Sequence, residues 1–293
     1  MSNENLQPNQ PQVKVPNVSD VLETVGAARL GPYRAFFKCQ TEDELLGAYL
    51  WGQAIGVAFQ LTLGMYEVAL RNAIHKATSE YCSHGNSQSY AWYDRSQAHA
   101  VRIGGKSLEK INEVLYSGNP PLRRHPQPVP DSVVATLSFG FWPSLLAGLT
   151  KREQTVILTA AFSGHPKSHP KYWGDANNVT SLVEMLKGIQ DLRNAIAHHE
   201  AIWKSHRLKG TETNWSHSVV SLREKHAEML TVMAWCCPNF AVATQISFAT
   251  RFFKSICSTN AVRAFMANPF QAGAMTRFEP ELPNVAPVVP TAI

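Results

Sequence analysis

The chain has 293 residues, 44% of them hydrophobic and 17% charged, which excludes wholesale disorder and leaves room for one large domain or two small ones. Lys and Arg number 27 against 22 Asp and Glu, a net charge of +5 that is compatible with a polyanionic partner without requiring one. The five cysteines (39, 82, 236, 237 and 257) are odd in number and form no C-x-x-C, which argues against a disulfide framework and against a cysteine zinc site.

The opening stretch MSNENLQPNQPQ has neither a basic n-region nor an apolar h-region, so no secretory signal is expected and a reducing cytoplasm is the expected compartment. Residues 1–17, rich in Asn, Gln and Pro, are expected to form a disordered tail. Residues 18–258 are expected to form one all-α domain, and 259–293 a mostly disordered second tail, with Pro and Ala concentrated beyond 268. Between the tails no strict period-2 run appears.

Thr41-Glu42-Asp43-Glu44 has the pattern of a capping box and predicts the start of a long helix, on which Ile55, Phe59, Leu63, Tyr66, Leu70 and Ile74 recur every three or four residues. Leu108, Ile111 and Leu115 mark a shorter helix. Residues 117–131, with PPLRRHPQPVPD, read as a basic proline-rich loop. Asp131 is expected to cap the next helix, carrying Val134, Leu137 and Phe141. Lys151–Phe162 is a further helix and 163–178 a loop. Leu182, Leu186, Ile189 and Ile196 line one helix. Val219, Leu222, Met229 and Met233 line another, which Pro238 stops.

Leu45–Tyr66 carries no charge, and Gly52 and Gly56 form a G-x-x-x-G, which suits a membrane helix dimer. Gln53 and Gln60 interrupt the run, however, and acidic Glu42, Asp43 and Glu44 precede it without a flanking cluster of positive charge. A helix buried on all sides of a bundle has the same composition, and that is the expectation adopted here, with no membrane partner.

Most histidines carry no recognisable chemistry. His165 and His169 have a helical metal spacing, but Pro166 and Pro170 oppose a helix there. Neither H-E-x-x-H nor H-x-x-E-H occurs around His198, His199 and Glu200, and there is no phosphate-binding glycine loop and no G-x-S-x-G. No metal and no cofactor is expected.

The string Asp191-Leu192-Arg193-Asn194-Ala195-Ile196-Ala197-His198-His199-Glu200 stands out. Positions 182, 186, 189, 193 and 196 share a helix face, which puts Arg193 in the middle of an apolar stripe. A half-buried guanidinium needs an anion. One candidate is a structural carboxylate, Glu67 or Asp191 among them. The other is a phosphate bound in a helix-lined cleft.

Arg193-Asn194-x-x-x-His198 resembles the R-x(4–6)-H signature of HEPN domains, helical bundles that include metal-independent ribonucleases. LRNAIAHHE is similar to the RNxxAHH stretch of Abi-like proteins of the AbiD/AbiF abortive-infection type. Tyr66-Glu67-Val68-Ala69-Leu70-Arg71 and Leu137-Ser138-Phe139-Gly140-Phe141-Trp142 resemble two further segments of that group, so the likeness spans roughly residues 30–245. It implies a HEPN-type bundle with extra helices and a phage-defence or toxin-like role, with RNA as substrate. An antitoxin or a phage-derived trigger would control it. Carried over, Arg193 binds the scissile phosphate, Asn194 positions the phosphate or the His, and His198 is the base or acid for 2′-hydroxyl attack. His199 is the rival to His198, with Asp191, Glu67 and Arg71 in support. The implied alternative is a non-catalytic HEPN protein that binds RNA, nucleotides or partners.

Five residues at 100° each set His198 about 140° from Arg193 on an ideal helix. Either the helix ends near Ala197 or two copies complete each other's sites, and a homodimer is expected. Leu70-Arg71-Asn72-Ala73-Ile74-His75 repeats part of the motif and reads either as a second site or as a Glu67–Arg71 polar pair supporting the bundle. Arg123 and Arg124 form the best basic patch, and Trp92, Tyr93, Trp142 and Trp203 are either base-stacking or core aromatics.

Overall fold

A computed structural model describes residues 16–270, and the two expected tails lie largely outside these residues. The architecture is all-α. The central element is α3 (Glu42–Cys82), 41 residues long. Its capping box forms as expected: Thr41 Oγ1 accepts from the Glu44 amide at 3.2 Å, and the Glu44 carboxylate accepts from the Thr41 amide at 3.3 Å.

The helices that pack against α3 include α1 (Val18–Val25), α2 (Ala27–Phe37), α7 (Lys151–Ala161), α9 (Ala176–Ala197), α10 (Trp215–Cys236), α12 (Phe248–Ile256) and α13 (Thr259–Ala267). This explains the uncharged run, because α3 is the axis of the bundle and buries Trp51, Ile55, Phe59, Tyr66 and Ile74 completely. Its small residues mark close helix approaches. A Cβ on Gly47 would run into the Phe265 carbonyl of α13, and one on Gly52 would run into the Tyr33 hydroxyl of α2. Gly56 faces Ile196 of α9. Among the described residues no helix is long and apolar enough to cross a membrane.

The remaining elements are α4 (Gly105–Leu115), strands β1 (Tyr116–Ser117) and β2 (Leu122–Arg123), α5 (Pro130–Thr136), α6 (Phe141–Gly148), α8 (Pro170–Trp173) and α11 (Pro238–Ile246). The strands pair antiparallel within the segment expected to be loop, Tyr116 opposite Arg123. Asp131 does not cap α5. Val129 is the cap residue and Pro130 takes the first helical position, which suits a residue without an amide hydrogen. The Asp131 carboxylate instead accepts from Ser89 Oγ at 2.7 Å and stands 3.3 Å from His75 Nε2. Leu137 ends α5 in extended backbone, so Phe141 opens α6 rather than extending the same helix.

Two stretches carry more helix than the sequence pattern suggests. α8 lies within the expected loop 163–178. The stretch after 258, expected to be mostly disordered, opens with α13, whose Ser258 cap accepts from the Ala261 amide at 3.0 Å. Pro238 both stops α10 and begins α11.

Candidate functional site

α9 begins at Asp175, whose side chain accepts from the Asn177 amide at 2.9 Å, and buries Val179, Leu182, Leu186, Ile189, Leu192 and Ala195. Its C-terminal end is a Schellman motif. The Glu200 amide donates to the Ala195 carbonyl at 2.8 Å and the His199 amide to that of Ile196 at 3.0 Å. His198 is the cap residue, and His199 adopts the left-handed conformation with φ 53°.

Because α9 stays helical through Ala197, the offset of about 140° between Arg193 and His198 is retained. Asp191, Asn194 and His198 line one cleft of about 320 Å³, together with Lys225 from α10 and His206 and Arg207 from the 3₁₀ turn Ser205–Arg207. Arg193 does not line it. His199 opens onto a different cleft of about 250 Å³, beside Arg29 and Tyr33. The two clefts share Glu200, His206 and Arg207 as a common wall, and His198 is the histidine of the pair grouped with Asn194.

Arg193 is half-buried, and among the described residues its side chain has no ion pair and no hydrogen bond. The expected carboxylate partners are placed elsewhere. Asp191 is two residues from Arg193, some 200° around the helix, and lines the His198 cleft. Glu67 makes no ion pair with Arg193 or with Arg71. The Arg71 Nε is instead 3.4 Å from Asn72 Oδ1, so the Glu67–Arg71 pair does not form.

The repeated motif on α3 ends in a buried histidine, His75, whose Nδ1 accepts from Trp92 Nε1–H at 2.8 Å. Burial pulls its pKa below the ordinary imidazole value, with Asp131 opposing the shift. It tethers the segment after α3 and is not open to a ligand.

The basic loop is partly neutralised. Arg123 forms a forked ion pair with Asp94, and one of its nitrogens also donates to Ser96 Oγ at 3.0 Å. Burial acts to raise the Asp94 carboxyl, but Arg123 and Ser96 outweigh it and hold its pKa below the usual carboxylate value. Arg124 and His125 remain exposed. Trp92, Tyr93, Trp142 and Trp203 are all core residues. Trp203 anchors an aromatic cluster, its ring 4.8 Å from those of Tyr33 and Phe36.

A cleft of about 860 Å³ lies between α4 and the β1–β2 hairpin, away from α9, and no histidine or cysteine lines it. Among the described residues no three His, Cys, Asp or Glu side chains group as a metal site. Sequence reasoning missed His206, Arg207 and Lys225. They carry no motif, and only the return of the chain after α9 and the packing of α10 bring them to His198.

The Phe139-Gly140 segment completes the setting. Phe139 stacks on Tyr66 at 5.8 Å, and a Cβ on Gly140 would sit 2.6 Å from Gln190 Nε2, so this segment wedges between α3 and α9 one turn before Arg193. Three separated sequence motifs thus converge on one helix. Over residues 20–204 the chain matches the family of Abi-like proteins.

The chain belongs to the Abi-like family. The match takes in α9 and its Schellman end, whereas the 3₁₀ turn and α10–α13 lie outside it. No curated protein and no solved structure matches the chain.

Proposed function

We propose that this Abi-like chain is a metal-independent endoribonuclease of HEPN type, acting in the cytoplasm in abortive infection or as a toxin-like effector. The observation that carries this reading is Arg193: a half-buried guanidinium on an apolar helix face with no carboxylate within ion-pair distance among the described residues. Such a group is stabilised by an incoming anion, and a phosphodiester matches its forked donors. At the end of the same helix His198 is exposed and lines a polar cleft with Asn194.

In this reading Arg193 binds the scissile phosphate and stabilises its developing charge, Asn194 positions it, and neutral His198 accepts the 2′-hydroxyl proton. The products are a 2′,3′-cyclic phosphate and a 5′-hydroxyl. Because Arg193 and His198 serve opposite sides of α9, Arg193 of one copy completes the His198 cleft of another. The surface of α3 supports such a homodimer. Val57, Leu61 and Val68 recur on one exposed face of α3, and Val57 directly follows Gly56, which faces α9. An antitoxin or a phage-derived trigger controls the activity.

The test is induced expression of wild type and His198→Ala with mapping of cellular RNA ends. Growth arrest and cyclic phosphate ends from wild type alone are expected. Arrest by both forms overturns the catalytic assignment, and RNA retained without cleavage by wild type favours a non-catalytic binding protein. Mixing Arg193→Ala with His198→Ala chains then tests the shared site, because heterodimers regain one intact copy.

A further inference from the structure

The cleft beside His198 has a second wall that the reaction above does not use. Seven residues after α9 the 3₁₀ turn places His206 and Arg207 in the same volume as Asn194 and His198, and Lys225 closes it from α10. The turn is fixed to the helix end. Glu200, whose amide closes the Schellman motif, forms an ion pair with Arg207, and the Arg207 amide donates to the Lys204 carbonyl at 2.9 Å. His206 is exposed, and neither its imidazole nor that of His198 has a hydrogen-bond partner among the described residues. Both rings therefore keep their nitrogens available. A volume of about 320 Å³ is of the size that admits a nucleotide.

Strand cleavage by 2′-hydroxyl attack needs two protons handled on opposite sides of phosphorus, and one imidazole cannot reach both. The cleft offers one histidine from the end of α9 and one from the turn that returns beside it. We propose that His206 is the general acid that protonates the leaving 5′-oxygen while His198 takes the 2′-proton.

This assignment rests on the ribonuclease reading above. The 2′-oxygen loses its proton to neutral His198 and forms the new bond to phosphorus. The bond from phosphorus to the 5′-oxygen breaks, and that oxygen takes the proton from the His206 imidazolium. His198 ends protonated and His206 neutral, and solvent restores both. Arg207 and Lys225, which line the cleft and pair with Glu200 and Glu228 respectively, supply cationic donors to the non-bridging phosphate oxygens.

The test compares two RNA substrates with the full-length protein. One has an ordinary scissile linkage. The other carries sulfur at the bridging 5′ position, a leaving group that departs without a proton. His206→Ala is expected to slow cleavage of ordinary RNA about 10²–10⁴-fold but that of the sulfur-substituted RNA less than about tenfold, whereas His198→Ala slows both. His206→Asn, a polar replacement, should repeat the pattern, with circular dichroism confirming the fold.

Equal effects of His206→Ala on the two substrates, or none on either, overturn the assignment. Because both histidines occupy one cleft, mixed His198→Ala and His206→Ala chains should regain no activity, and recovery would also overturn it. Failure of wild type to cut either RNA is a different result. It removes the ribonuclease reading itself, and the His206 role with it.

Discussion

The Glu200 amide donates to the Ala195 carbonyl at 2.8 Å, and this bond fixes where α9 ends. It closes the Schellman motif that leaves His198 at the cap and forces His199 into the left-handed conformation, φ 53°. A non-glycine residue there carries strain of about 1–2 kcal/mol. His199→Gly is therefore expected to stabilise the protein by roughly 0.5–1 kcal/mol, after the added freedom of the unfolded chain is subtracted. The melting temperature should rise by about 1–4 °C with RNA cleavage retained. Loss of cleavage in a stabilised His199→Gly protein would make His199, not His198, the base.

Arg193 separates stability from function. If it were held by a buried carboxylate, removing its charge would cost about 3–5 kcal/mol. No such partner is present among the described residues, so Arg193→Met, which keeps the apolar stem, should shift stability by less than about 1 kcal/mol. Cleavage should fall by about 10²-fold or more. Urea unfolding alongside single-turnover cleavage checks both numbers, and a large stability loss would return Arg193 to a structural role.

His226 makes the bundle acid-sensitive. It stacks on Phe253 with ring centroids 3.9 Å apart and shares a hydrogen bond of 3.1 Å with Thr62. Burial, helped by Lys254, lowers its pKa to about 4. In the unfolded chain a histidine titrates near pH 6.5. Between about pH 6.5 and 4 the unfolded state binds a proton that the folded state refuses, so stability is full above this window and is lost as pH falls through it. Burial lowers the pKa of His75 and His165 in the same sense. Unfolding free energies measured at pH 7, 6 and 5 should decline, more shallowly in His226→Gln, and a pH-independent stability would contradict the buried neutral ring.

Two glycines of α3 should behave oppositely. A Cβ at Gly47 runs into the backbone of α13, whereas one at Gly64 meets nothing within 4 Å. Gly47→Ala is expected to destabilise by about 1–3 kcal/mol through overpacking. Gly64→Ala should stabilise by up to about 1 kcal/mol, the helix-propensity gain. Thermal melts of the two variants decide this, and equal shifts would mean that α13 does not seat on α3.

The helices were legible where local chemistry repeats. Thr41 and Glu44 announce the start of α3, and the spacing of Leu182, Leu186 and Ile189 announces α9. Boundaries were less legible. Asp131 looked like a cap, but Pro130 occupies the first helical position and shifts the cap to Val129. α13 leaves little local signal because nine residues, Thr259–Ala267, are too few to show a period, and its place is set by Gly47 far away in sequence. Asn194 and His198 are four residues apart at the end of α9, so their shared cleft follows from local helix geometry. His206 and Lys225 reach the cleft only through tertiary packing, which leaves no local pattern.

The most direct measurement of the central claim is cleavage by purified wild type in excess EDTA. A short RNA is compared with the same RNA carrying a 2′-O-methyl group at the scissile nucleotide, with His198→Ala as control. Wild type should cut only the unmodified RNA and leave 2′,3′-cyclic phosphate ends, and His198→Ala should cut about 10²–10⁴-fold more slowly. Cleavage of the methylated RNA, or activity that EDTA abolishes and added metal restores, would contradict attack by the 2′-hydroxyl with His198 as base.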